Sequence, residues 1–173
     1  TLFFLLGFVD DLKVKIKPNT RLLTMFIFLI LLIQQNNLYI ENTGMEFLNN
    51  WLLSSKIFSL FFVCLCFLFI INGANLIDGY NGLLGFHSLI ILINLFLINY
   101  LGENNNLANL LFFIIIILAI FLWFNFPKAK IFLGDSGSYL LGSFIAISVI
   151  KTSIANPAIS PFYFCILLFY FLP

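Results

Sequence analysis

Residues 56–85 read KIFSLFFVCLCFLFIINGANLIDGYNGLLG. An apolar run over 56–71 passes directly into a segment in which Asn72, Asn75, Asp78 and Asn81 recur at every third position among Gly73, Gly79, Gly82 and Gly85. Crossing a bilayer takes about 20 apolar residues, with a range of about 17–25. The run with its flanks therefore predicts a membrane helix ending in a polar, glycine-rich segment. A spacing of three keeps the polar groups on one slowly drifting helical face. Glycine then lets the chain turn and lets a ligand approach the backbone. A helix end with its caps also uses Gly and Asn. Three amides and an Asp beside an apolar span exceed what capping requires, so the segment suits a diphosphate, a nucleoside or a metal.

The rest of the chain repeats this pattern. Of 173 residues, 62% are hydrophobic and 9% charged, with 24 Phe. A water-soluble domain carries about 25% charged residues, so there is too little charge here to cover a water-facing surface. Candidate spans lie at 20–36, 56–71, 83–101, 107–124, 136–150 and 158–173. They are expected to be helical, since a lipid-exposed backbone must satisfy its own hydrogen bonds. Pro18, Asn19 and Thr20 mark the expected start of the first complete helix. Residues 1–9 are too short to span and have no basic leader before them, so they read as the end of a further helix. The expected class is an all-α polytopic membrane protein with six to seven transmembrane helices. Residues 1–173 form a single transmembrane domain, expected to be truncated at both ends. Cys64, Cys66 and Cys165 lie in apolar runs without metal-ligand spacing and read as small hydrophobes.

Six spans sort the loops onto two sides. Segments 9–20, 72–82 and 125–136 share one; 37–55, 102–107 and 151–157 share the other. Lys13, Lys15, Lys17, Arg21, Lys128 and Lys130 fall on the first side, and Lys56 and Lys151 on or near the second. The positive-inside rule makes the first side cytoplasmic. The acids divide likewise: Glu41, Glu46 and Glu103 lie outside, while Asp10, Asp11, Asp78 and Asp135 lie inside at helix ends. Segment 38–50 reads as a short hairpin or amphipathic piece.

Two more constellations share the inner side. GFVDDLKVKIKPNTR at 7–21 places Asp10 and Asp11 at a helix end, followed by basic residues. Adjacent carboxylates repel, so one is expected to have a raised pKa unless a cation intervenes. Such a pair can hold Mg²⁺ or accept a proton, although a solvated turn would look the same. NFPKAKIFLGDSGS at 125–138 sets Asp135 between Gly134 and Gly137 at the start of a span. Ser136 or Ser138 is the expected cap. The free N–H groups and positive dipole end of that helix favour a phosphate, with Asp135 holding a cation against it. GDSG also surrounds serine-protease nucleophiles, but the single His, His87, lies inside a span and gives no triad base. His87 reads as a packed residue near the interface.

In this order the three motifs, DD at 10–11, NxxNxxDGxNGL at 72–83 and FxGDxGS at 132–138, resemble the polyprenyl-phosphate N-acetylhexosamine-1-phosphate transferases, or glycosyltransferase family 4. The family includes the phospho-MurNAc-pentapeptide translocase and the GlcNAc-1-phosphate transferases that begin O-antigen, teichoic acid and N-glycan assembly. The resemblance implies a fold of about ten membrane helices, of which this chain is the end of the third through most of the ninth. It implies transfer of a sugar-1-phosphate from a UDP-activated amino sugar to undecaprenyl or another polyprenyl phosphate, with release of UMP. The implied setting is a bacterial inner membrane, with the active site on the cytoplasmic face. Mg²⁺ is the implied cofactor, with Mn²⁺ able to replace it. Membrane lipid is an implied partner, nucleic acid is not, and a homodimer is compatible.

By motif, the resemblance makes Asp135 the principal metal ligand and Asn75 the second metal-site residue. Asp10 and Asp11 become the acidic pair near the lipid phosphate, with Arg21 as ion-pair partner, and Asp78 a further catalytic acid. Phe132 resembles the aromatic that stacks on uracil. Asn81, Asn125 and Gly134 fall at substrate-binding positions, although Asn81 stands where many bacterial members have Asp. Arg21, ten residues after Asp11, resembles the GlcNAc-1-phosphate branch more than the pentapeptide branch. The family's His-rich cytoplasmic loop and first two helices are absent from this stretch, so the stretch alone is expected to be inactive. Direct attack by the lipid phosphate on the sugar-linked phosphorus is favoured over a phospho-Asp intermediate. Two rival readings are a transporter and an inactive family member. Transporter acids sit near mid-depth in broken helices, and no predicted span carries Asp or Glu there. Intact Asp10, Asp11 and Asp135 argue against an inactive member.

Overall fold

A computed structural model describes residues 2–12 and 17–171. Lys13 and Lys15, counted above as topological signals, lie outside the described residues. Every regular element among the described residues is helical. The order is α1 (Leu2–Asp11), α2 (Pro18–Asn36), α3 (Glu46–Ser54), α4 (Lys56–Ile77), α5 (Leu83–Leu101), α6 (Asn105–Asn125), α7 (Gly134–Ala155) and α8 (Pro161–Leu168), with a 3₁₀ turn at Phe169–Phe171. Helices α2, α4, α5, α6 and α7 are long and apolar enough to cross a membrane. The chain is a multi-pass α-helical membrane protein.

Pro18 opens α2 at its first turn, where a missing N–H costs nothing. Within the expected span at 158–173, the described part is the eight-residue α8 followed by the 3₁₀ turn. Pro161 begins α8 and cannot donate to the turn before it, so the helix does not extend back over 158–160. The segment at 38–50 leads into α3, whose exposed Phe47 and Trp51 pack against each other with tilted rings, centroids 5.6 Å apart.

One correction concerns 72–82. Helix α4 runs on to Ile77, through Gly73, so Asn72 and Asn75 stand on the helix rather than in a loop. Gly73 does not break α4. Its missing Cβ leaves room for the carbonyl of Phe171.

Helix α7 is the centre of the bundle. Of its membrane-length window 56% is buried, against 17% for α2. It packs on α1, α4 and α5. Gly142 explains part of this closeness: a Cβ there would lie 3.0 Å from Ala74 Cβ and Ile71 Cα of α4. Without a hydrophobic force between helices in lipid, such small residues are what allow tight contact. The C-terminal ends of α1 and α4 thus meet the N-terminus of α7, while α6 packs on α5 and leads into α7 through residues 126–133.

Candidate functional site

At this junction the carboxylates expected from the motifs meet. On α4, Asn75 Nδ2 donates to Asp135 Oδ1 at 3.0 Å, across a separation of 60 residues. Asp78 follows the last turn of α4. Burial, and then the negative charge of Asp135, push its carboxyl up to about 6. Asp135 and Asp78 therefore offer two carboxylates, and Asn75 an amide, to one small volume. Asn72 does not join them, because its Nδ2 donates to Leu68 O of its own helix. Among the described residues no three His, Cys, Asp or Glu side chains cluster into a protein-only metal cage.

The causes acting on Asp78 can be separated. In chelator, Asp135→Asn removes the charge but not the burial, so the Asp78 pKa is expected to fall while staying above the ordinary carboxylate value. Infrared titration of the carboxyl band, assigned with Asp78→Asn, reads this. An unmoved band would mean that the two side chains do not interact.

The neighbouring acids face different partners. Successive residues on a helix point about 100° apart. Asp10 Oδ2 pairs with Arg21 Nη1 at 3.3 Å, in the ion pair expected from the sequence, and the Asp10 side chain is only 10% exposed. Asp11 turns to α7. Its Oδ1 accepts the N–H of Asp135 at 2.9 Å, and its Oδ2 accepts the N–H and hydroxyl of Ser136 at 3.0 and 2.6 Å. Burial alone would raise the Asp11 carboxyl, but the Ser136 hydroxyl and the two backbone N–H groups outweigh it and hold it below the usual value. Two expectations change here. Neither Ser136 nor Ser138 caps α7, and the helix end read as a phosphate cradle is occupied by Asp11. The Ser138 hydroxyl instead donates to Asp135 O at 3.2 Å, within the first turn.

The second half of the site joins two loops. Asn125, at the end of α6 and 5% exposed, accepts the N–H of Gly82 at 2.6 Å and donates to Ile131 O at 2.8 Å. Asn81 Nδ2 reaches Pro127 O at 3.3 Å. Both residues, read from the resemblance as nucleoside contacts, thus hold the two loops together. Asn125 spends both ends of its amide on backbone, whereas Asn81 remains exposed. Phe132 is 74% exposed beside this junction, a free aromatic face. Gly134 has φ +65, and a Cβ there would lie 2.9 Å from both Asp11 oxygens.

Tyr139 was not singled out by the motifs. It is fully buried one turn beyond Asp135, with the Arg21 guanidinium 5.9 Å from its ring centroid and its hydroxyl buried without a hydrogen-bond partner among the described residues. The signal was present as the i, i+4 spacing from Asp135, which puts both on one face of α7. His87 packs edge-on against Phe171 at 4.8 Å. The three cysteines are free thiols.

Comparison with known proteins bears on the same residues. A family model described as Glycosyl transferase family 4 matches residues 1–153, which include all three motifs. The chain belongs to glycosyl transferase family 4. Among curated relatives, this family 4 chain is 37% identical over 160 residues to a phospho-N-acetylmuramoyl-pentapeptide-transferase of Dictyoglomus turgidum, covering 87% of this chain and 50% of the relative. The protein of that name from Dictyoglomus thermophilum is 37% identical over 158 residues, with the same coverage. The one from Sulfurimonas denitrificans is 31% identical over 177 residues, again covering 87% and 50%. The family 4 chain spans about half the length of the curated relatives it matches. These relatives carry the pentapeptide-transferase name, whereas the position of Arg21 resembles the GlcNAc-1-phosphate branch; in the structure Arg21 pairs with Asp10.

Proposed function

We propose that this chain is the catalytic region of an enzyme that transfers an N-acetylhexosamine-1-phosphate from a UDP-sugar to polyprenyl phosphate, such as undecaprenyl phosphate, releasing UMP. The observation that carries this reading is the meeting of Asp135, Asn75, Asp78 and the Asp10/Arg21 ion pair at one end of a membrane bundle. A lipid phosphate is held at headgroup depth and a nucleotide sugar arrives from water, so their reaction needs a site at a membrane face. Arg21, Lys128 and Lys130 near that end favour the cytoplasmic face of a bacterial inner membrane. The names of the relatives favour a phospho-N-acetylmuramoyl-pentapeptide as the transferred group.

The donor set suits Mg²⁺. This ion keeps several waters and takes one or two carboxylates together with substrate phosphates, rather than a cage of protein ligands. Asp135 and Asp78 would supply the carboxylates; Asn75, whose Nδ2 donates to Asp135 here, would contribute its Oδ1. Bound there, Mg²⁺ would neutralise the diphosphate and the charge that develops on leaving UMP. The chain's own groups do the rest. Phe132 offers its exposed face to uracil. Arg21, oriented by Asp10, counters the charge of the acceptor phosphate. An oxygen of the lipid phosphate bonds to the sugar-linked phosphorus, the bond from that phosphorus to the bridging oxygen breaks, and the electron pair leaves with UMP. Positioning and charge stabilisation supply most of such catalysis.

Membranes carrying the full-length protein that contains this chain, given undecaprenyl phosphate, Mg²⁺ and a panel of UDP-sugars, are expected to release UMP with one amino-sugar donor. No release with any donor would overturn the reading. The topology has its own test. A cysteine at position 128 is expected to resist an impermeant thiol reagent added outside intact cells, while one at position 42 is labelled; labelling at 128 would put the site on the wrong face.

A further inference from the structure

We infer that Asp11 is a positioning residue: its carboxylate pins the N-terminus of α7 and thereby sets where Asp135 points, rather than exchanging a proton with substrate. The inference rests on the transferase reading above and divides the work of the adjacent acids. An ionised carboxylate offers about four lone-pair sites, and three of those on Asp11 are taken by Asp135 N–H, Ser136 N–H and the Ser136 hydroxyl. Little acceptor capacity is left for a substrate proton.

Helix α7 has no cap of its own. The residue before it, Leu133, has no side-chain acceptor and a helical backbone, φ −71 and ψ −38. The first N–H groups of a helix lack intrahelical partners, and its dipole favours an anion there. Asp11 meets both needs from another element, more than 120 residues away in sequence.

The surroundings are shaped for this contact. Gly134, at φ +65, leaves the space that a Cβ would take from the Asp11 oxygens. Gly7, one turn before Asp11 on the same face of α1, lets that helix lie directly on the backbone of Asp135 and Ser136. Gly7, Asp11 and Gly134 therefore act as one lock on the residue that carries the chemistry. Asp10, turned to Arg21 instead, is the member of the pair left for the acceptor-phosphate role proposed above.

The test compares Asp11→Asn with Asp11→Ala in membranes carrying the activity. Asn keeps one of the two accepting oxygens, enough for one of the two backbone N–H groups, and ranks with Asp as a helix cap, while Ala has none. Asp11→Asn is expected to lose less than about tenfold in turnover, and Asp11→Ala at least about tenfold more. Melting temperature should follow the same order, with Ala lowest. The inference is overturned if Asp11→Asn is as inactive as Asp135→Asn while melting like the unmodified protein, for then the charge and not the cap was needed. If the full-length unmodified protein transfers nothing, the transferase reading fails by itself. The melting order still decides the cap: Ala below Asn supports it, and equal melting refutes it.

Discussion

Asp135→Asn is expected to lower turnover at least about 10²-fold while leaving the protein folded. The substitution keeps the size of the side chain and its place one turn before Tyr139. The backbone N–H of residue 135 still reaches Asp11, so the start of α7 is preserved. What goes is the charge that would hold Mg²⁺ against the diphosphate. That charge acts mainly where negative charge develops, in the transition state, so the loss should appear in kcat. Phe132→Ala gives the contrasting result. It removes an exposed stacking surface and should mainly raise KM for the nucleotide sugar. Glu103→Gln, at the other end of the bundle, should be near neutral. Turnover of Asp135→Asn close to normal at saturating Mg²⁺ would remove Asp135 from the metal site and return attention to Asp78.

Gly7→Ala is expected to be nearly as damaging, with no charged or polar atom changed. Taken alone, Ala in place of Gly within a helix is worth about 1 kcal/mol in favour of the helix. The tertiary contact reverses that sign. A Cβ at position 7 runs into the backbone carbonyl of Asp135 and the Cα of Ser136. Backbone cannot turn aside as a side chain can, so α1 must back away from α7, drawing Asp11 from its three hydrogen bonds and tilting Asp135. A displacement of about 1 Å at a reacting group can cost about 10²-fold in rate. We expect a loss of that order, together with a lower melting temperature. Leu5→Ala, on the exposed face of the same helix, should leave both near normal. If Gly7→Ala melted and turned over like the unmodified protein, the close packing of α1 on α7 would be wrong, and the lock inferred for Asp11 would lose its support.

Membrane character, the helical class and the grouping of the four Asp residues at one end of the bundle were legible in the chain itself. Each follows from local pattern. Apolar runs of membrane length must be helical, and alternating spans put residues 10, 78 and 135 on the same side whatever the packing. The family resemblance also offered Arg21 as ion-pair partner to the acidic pair, and Asp10 is the member that meets it. The ends of elements were harder. The Asn and Gly residues at 72–75 look like a helix terminus, yet packing against α7 and Phe171 carries α4 on to Ile77. At the other end of the chain, Pro161 cut what reads as a single apolar run.

The division of roles inside the site came only from the tertiary structure. Asp10 and Asp11 are alike in sequence, and the orientation of α1 against α7 alone decides that one meets Arg21 and the other the helix end. Asn81 and Asn125 were read as nucleoside contacts from the family resemblance. In the structure Asn81 reaches Pro127 O, and Asn125 ties Gly82 N–H to Ile131 O. Tyr139 carried no motif, since a buried phenol between apolar residues reads as core until Arg21 is brought to it. A one-dimensional pattern records how often polar groups recur along a helix. Which group satisfies which depends on the helix crossing, and that is set by glycines such as Gly7 and Gly142, whose effect is exerted on residues far away in the chain.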